Sequence, residues 1–181
     1  MSLFSPAPLL LVDGYNIIGS WPHLKQDRDR SSLEIARYSL IEALVNYSAF
    51  AGYTTEIVFD AHYQQTPAYR ETHSPHVGSY YTDFAQTADT YIERTCAKLS
   101  RNLGARTRTI VATSDRAQQL TAVGYGAEWM SAQQLAAAVS LTSQNTRQKS
   151  HSRPKGKGRF LFDRLDPKAQ ERLAQMRLGI R

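Results

Sequence analysis

Cysteine is nearly absent: one residue, Cys96, in a chain of 181. A single thiol excludes an internal disulfide and suits a reducing cytoplasm. Its setting between Ile92 and Leu99 makes it a core or helix-surface residue. Long apolar runs are absent too. None approaches the ~20 residues that cross a bilayer, so no membrane partner is expected. Met1 to Pro8 is short and lacks a basic start, which argues against a signal peptide. No G-x-G-x-x-G follows the first strand-like run, so no nucleotide cofactor is expected. The same run lacks the D-x-D pattern of phosphohydrolases with an aspartyl nucleophile, because Tyr15 stands where the second acid belongs. His62 and His73 show no metal-site spacing and read as solvated loop residues. Internal repeats are missing.

Acids are scarce at one end only. Residues 147–181 hold 11 Lys and Arg against 3 acids, whereas residues 1–146 hold 11 against 13. A mildly acidic body with a strongly basic tail implies a polyanionic partner held by the tail, or a merely solubilising extension. Within it, Arg153, Lys155, Lys157 and Arg159 are spaced by Pro and Gly. That arrangement suits contacts to a nucleic-acid backbone rather than base reading.

What is present is a repeated α/β pattern. Leu9 to Val12 is a continuous apolar run ending in Asp13-Gly14, as in a buried parallel strand. Gly14 to Arg30 reads as a connecting loop. Ser31-Ser32 and Glu34 open a helix over about 32–50 that ends near Gly52. Thr54 to Phe59, closed by Asp60, is a second strand, so the unit is βαβ. Residues 61–75 read as a polar loop and 77–82 as a third strand. A helix is expected from Thr87-Ala88-Asp89 to about Leu103, and a fourth strand over 109–113, before Ser114-Asp115. A helix over 116–123, a short edge strand over 126–130 and a helix capped by Ser131 and ending near Leu141 complete the domain. Residues 142–159 form a polar, basic, flexible linker, and 160–181 a short basic helical segment behind the apolar Phe160 to Phe162. The domains are thus 8–141, 142–159 and 160–181. The fold class is a three-layer α/β/α sandwich with a mainly parallel sheet.

Asp13, Asp60 and Asp115 end strands, and Asp89 opens a helix that follows another. In a doubly wound sheet these ends share one edge, where ligands bind. Carboxylates gathered there repel unless a cation lies between them. Mg²⁺ or Mn²⁺ suits such oxygen ligands, and phosphodiester hydrolysis suits such a metal. Each acid alone is equally a turn or N-cap residue. Asp60 either supports the site or caps the next loop. Glu93, four residues after Asp89, adds a carboxylate to the pocket or pairs with Arg94. Asn16 orients Asp13 or meets a phosphate. Ser114 binds a metal ligand or water, or caps the helix at 115. Tyr80 and Tyr81 either stack on bases or fill the strand core.

Val12-Asp13-Gly14-Tyr15-Asn16, Val58-Phe59-Asp60-Ala61, Ala88-Asp89-Thr90-Tyr91-Ile92-Glu93 and Thr113-Ser114-Asp115-Arg116 together resemble NYN domains of the PIN-like nucleases. The resemblance is to the YacP-like branch and covers about residues 8–140, leaving the basic extension outside it. It implies a PIN-like fold and a divalent-metal endoribonuclease acting on RNA, by analogy mRNA on the ribosome. It also implies Asp13, Asp89 and Asp115 as metal-binding acids, with Asn16, Glu93, Ser114 and Asp60 in support. Arg116, beside Asp115, joins the tail residues as an RNA contact. The competing reading is an RNA- or ribosome-binding adaptor that keeps the fold with little catalysis.

Overall fold

The computed structural model describes residues 6–61, 67–101 and 107–151, the last five of them as backbone only. The expectations for His62, for Arg153, Lys155, Lys157 and Arg159, and for the segment 160–181 lie outside these residues.

The sheet is built around β1 (Leu9–Asp13), which pairs in parallel with β2 (Thr54–Phe59) on one side and β5 (Thr109–Ala112) on the other. Next to β2 lies β4 (Val77–Tyr81), also parallel. Two edge strands close the sheet: β3 (Tyr69–Ser74), antiparallel to β4, and β6 (Glu128–Met130), parallel to β5. The order is β3-β4-β2-β1-β5-β6. Chain order runs outward from β1 one way and then resumes at β5 on its other side. The switch point therefore lies between β1 and β5, at the ends of which stand Asp13 and Asp115.

Strand side chains alternate between faces, and the alternation divides the core in two. Leu10, Val12, Ile57, Phe59, Val77, Ile110 and Ala112 pack on one face. Leu11, Val58 and Val111 pack on the other. The first face is covered by α1 (Gly14–Ser20), α2 (Pro22–Arg30), α3 (Leu33–Ala51) and the start of α6 (Ala132–His151), through Ile17, Leu24, Leu40, Leu44 and Leu135. The second is covered by α4 (Ala88–Arg101) and α5 (Arg116–Gly124), through Ile92, Cys96 and Ala122. This is the expected α/β/α sandwich with a mainly parallel sheet, and Cys96 is buried in it.

Local signals explain the helix ends. Ser32 Oγ accepts from the Ile35 N–H to start α3, and Gly52, at φ +73°, ends it in the left-handed conformation that glycine adopts at little cost. At α6, Ser131 Oγ accepts from the Gln134 N–H at 3.1 Å while the Ser131 N–H donates to Gln134 Oε1 at 2.8 Å, a reciprocal capping box. The Trp21 indole N–H donates to the Ala132 carbonyl at 2.8 Å and ties α6 to the start of α2.

Three expectations are corrected. Residues 14–30 are two helices rather than a loop, with Pro22 at the first turn of the second. The segment expected to be a loop up to residue 75 contains β3, whose residues are exposed or half-buried. Helix α6 continues past Leu141 to His151, into the segment read as linker.

Candidate active site at the carboxyl edge of the sheet

Asp13 is the last residue of β1 and the N-cap of α1, where its Oδ1 accepts from the Asn16 N–H at 3.2 Å. The turn is tight because Gly14 lies under the Phe59 ring: a Cβ on Gly14 would overlap that ring. Asp13 is 8% exposed, and burial is the main reason its carboxyl is pushed up to about 7. The Asn16 hydrogen bond opposes the shift, and the charges of Asp89, Asp60 and Asp115 add to it. The four acids, brought from β1, the end of β2, α4 and the start of α5, therefore act on one another. Asp89 is raised as well, first by burial and then by Asp115 and Asp60, against the hydrogen bond from Gln118.

Each carboxylate also has a local donor. Asp60 accepts from the Ala88 N–H and so caps α4 from outside that helix. Asp115 Oδ1 accepts from the N–H groups of Ala117, at 2.7 Å, and Gln118, at 3.1 Å, capping α5. Asp89 Oδ1 accepts from Gln118 Nε2 at 2.6 Å. Among the described residues, no three His, Cys, Asp or Glu side chains are drawn together closely enough to hold a metal ion. The acids share an edge while each leans toward its own donor.

Asn16 does more than orient Asp13. Its Oδ1 accepts from the Ser114 N–H at 2.7 Å, which ties the end of β1 to the loop after β5 across the switch point. Ser20 Oγ donates to the Asn16 carbonyl at 2.8 Å and to Ser114 Oγ at 3.3 Å. Ser114 is thus held by α1, and Asp115, not Ser114, caps α5. Glu93 lines a cavity of about 150 Å³ with Asp89 and Asp115, and its Oε1 accepts from the Tyr125 hydroxyl at 3.4 Å rather than pairing with Arg94. Arg116 is exposed, with Nη1 donating to Gln119 Oε1 at 3.3 Å.

Gln118 was not foreseen. It is 7% exposed, faces the same cavity, and its Oε1 has no hydrogen-bond partner. The spacing Asp115-x-x-Gln118 signals a capping box in which Gln118 would return to the Asp115 N–H. That N–H is taken instead by Thr113 Oγ1 at 3.0 Å, which frees the amide to reach Asp89. Tyr80 and Tyr81 are both engaged. Tyr81 is 9% exposed and stacks on Phe59, while Tyr80 stacks on Tyr91 at 4.0 Å.

Residues 10–178 match the YacP-like NYN domain. The chain belongs to that family. The match extends through the basic segment to residue 178, so the extension lies within the family's reach and not beyond it, as the motifs alone implied. The uncharacterized protein YacP of Bacillus subtilis (strain 168) is 39% identical over 127 residues, 70% of this chain and 72% of that protein. Crystal structures of Rae1 (YacP) from Bacillus subtilis share the fold. A mutant form gives a TM-score of 0.66 at 30% identity, covering 93% of this chain and 99% of that one. A second crystal structure of Rae1 gives 0.64 at 32%, covering 94% and 95%. The YacP-like NYN fold is nuclease-like, with the acid-bearing edge where such folds place their ligands. No described helix is long and apolar enough to cross a membrane.

Proposed function

We propose that this YacP-like NYN domain is a divalent-metal-dependent endoribonuclease that hydrolyses RNA phosphodiester bonds, with mRNA on the ribosome as its natural substrate, in the cytoplasm. The observation that carries the reading is Asp13. A carboxyl driven up to about 7 by burial and by three neighbouring acids is an unfavourable arrangement for folding alone. The donor chemistry suits a hard cation: carboxylate oxygens are brought to one edge from four elements, and Asp89 and Asp115 line one cavity. Asp13, Asp89 and Asp115 would hold Mg²⁺ or Mn²⁺. When bound, such an ion activates water and offsets charge on the phosphoryl oxygens. Asn16 fixes Asp13 and the Ser114 loop relative to each other, and Gln118 fixes Asp89. Ser114 and Arg116, exposed beside Asp115, would be free to meet a phosphate. The basic residues Arg153, Lys155, Lys157 and Arg159 add sequence-independent affinity for RNA.

One observation favours the adaptor reading: each of the four aspartates already has a local donor, and among the described residues no three acids converge as metal ligands. The two readings separate on one experiment. Wild type and the Asp13→Asn, Asp89→Asn and Asp115→Asn variants are incubated with RNA, and with translating ribosomes, in Mg²⁺ or Mn²⁺. The nuclease reading expects cleavage by wild type alone, with RNA binding retained in the variants. Cleavage surviving in the variants refutes the site, and a wild type that never cleaves leaves the adaptor.

A further inference from the structure

A groove of about 710 Å³ opens between α3 and the β3–β4 hairpin, on the sheet face away from α4 and α5. Its floor is the end of a row of aromatic rings that begins at the candidate active site. Tyr15, two residues after Asp13, meets Phe59, the residue before Asp60, at 5.2 Å between centroids. Phe59 stacks on Tyr81 at 5.3 Å and 25°. Tyr81 stacks on Tyr69 across the β3–β4 pairing at 4.4 Å and 11°. Phe59 is fully buried and Tyr81 nearly so, whereas Tyr69 is 45% exposed. The row is therefore anchored in the core and open at its last ring. Strand alternation keeps that ring apart from the other face of β3, where Arg70 is engaged with Glu56 and Tyr91.

The remaining groove chemistry is selective. Arg37 lies with its guanidinium carbon 5.8 Å from the Tyr81 centroid and Nη1 3.5 Å from the Tyr15 hydroxyl, in a lining that also holds three glutamates and His73. Glu34, Glu42 and Glu71 are exposed around it. Those carboxylates accept hydrogen bonds and repel a run of phosphates. A neutral, flat group that donates from its edge satisfies both the open ring and the acids.

We propose that this groove is a subsite for a single unpaired nucleobase bearing an exocyclic amine, stacked on Tyr69, from the RNA whose backbone lies at the carboxylate edge. The proposal rests on the RNA reading above. Adenine, cytosine and guanine each present an amine for the carboxylates. Uracil flanks its one N–H with two carbonyl acceptors and meets the acids poorly. Stacking on the ring supplies affinity without regard to sequence, and the acids supply the preference.

The test uses the full chain carrying Asp13→Asn, so that no RNA is consumed, in chelator. Single-stranded oligoribonucleotides with 2-aminopurine at one position are titrated and followed by fluorescence. Tyr69→Ala weakens binding about 5- to 100-fold and abolishes the quenching, and Tyr69→Trp restores both. Substituting uracil for adenine at the stacked position weakens binding to the parent chain but not to Tyr69→Ala. Equal affinity and quenching for the parent and Tyr69→Ala overturns the proposal. So does a Lys/Arg-rich peptide that occupies the groove in a Tyr69-dependent manner without displacing the oligonucleotide. Melting temperature checks that Tyr69→Ala folds, and Tyr69→Leu replaces it if it does not. Binding is read without cleavage, so failure of wild type to cut RNA removes the nuclease reading and leaves the subsite standing.

Discussion

Gln118 donates its side-chain amide to Asp89 Oδ1 at 2.6 Å while its backbone N–H donates to Asp115 Oδ1 at 3.1 Å. One residue of α5 thus sets the distance between two acids that belong to different helices. The arrangement leaves Gln118 Oε1 buried without a partner, at a cost of about 1–3 kcal/mol. Gln118→Leu removes both the tether and the orphaned oxygen. Its melting temperature in chelator is expected to stay close to that of wild type, while RNA cleavage falls by about 10–100-fold, the usual effect of losing an outer-shell partner. Loss of stability in proportion to loss of cleavage would show that Gln118 serves only the fold.

Asp13 makes the apo fold sensitive to pH. Its folded-state carboxyl titrates at about 7, against 3.8 for the ordinary group. Between those values the folded chain keeps a proton that the unfolded chain has released, so the destabilising contribution of Asp13 is absent below about pH 4 and grows as pH rises toward 7. The full shift corresponds to roughly 4 kcal/mol as an upper figure. Asp13→Asn keeps an oxygen for the Asn16 N–H but carries no charge. Thermal melts in chelator should therefore show Asp13→Asn above wild type at pH 7.5, with the gap closing toward pH 4.5. Added Mg²⁺ should raise wild type and leave Asp13→Asn nearly unmoved. A gap independent of pH would mean that Asp13 is not buried among like charges.

The parallel strands and the acids at their ends are legible in sequence because each buried run stops abruptly at a charge. Leu9 to Asp13 and Thr109 to Asp115 each show this. What escapes is whatever lacks such a contrast. β3 reads Tyr-Arg-Glu-Thr-His-Ser and is exposed along most of its length, so no alternation marks it. α2 buries only Leu24, and α1 is seven residues long with Ile17 and Ile18 as its buried apolar side chains, so neither carries a stripe long enough to mark a helix. The role of Gln118 escapes for another reason. Local spacing assigns its amide to Asp115, and only the tertiary placement of Thr113 and Asp89 redirects it. The open ring is likewise Tyr69 rather than Tyr80 or Tyr81, because the unforeseen edge strand covers one and α4 the other.

Gly14 has a steric role separable from charge. A methyl group there would overlap the Phe59 ring, which is fully buried beneath α1. Gly14→Ala is expected to cost about 1–3 kcal/mol, as overpacked cores do. It also shifts α1, and with it Asp13 and Asn16. Phe59→Leu alone leaves a cavity and destabilises as well. In the double variant the alanine methyl enters space the ring has vacated, so the two losses should sum to more than the measured change. Urea melts of the four proteins give the coupling directly. Simple additivity would exclude the contact as the reason for glycine.

A basic tail that meets RNA phosphates binds with a dependence on salt. The family match reaches residue 178, which places Arg153, Lys155, Lys157 and Arg159 inside the domain's reach rather than in an accessory extension. If these four residues meet phosphates of single-stranded RNA, each releases a fraction of a counterion on binding, about 0.7 per contact. Replacing all four with serine should lower the slope of log affinity against log salt by about 3. Tyr69 and the four aspartates keep their side chains in this variant, so the turnover rate at saturating RNA should hold while the RNA concentration needed for saturation rises. Binding titrations from 50 to 200 mM salt, about the range over which such slopes are read, decide the matter. An unchanged slope assigns the tail to something other than RNA. A reduced turnover rate at saturation would mean instead that these cations reach the reacting phosphate.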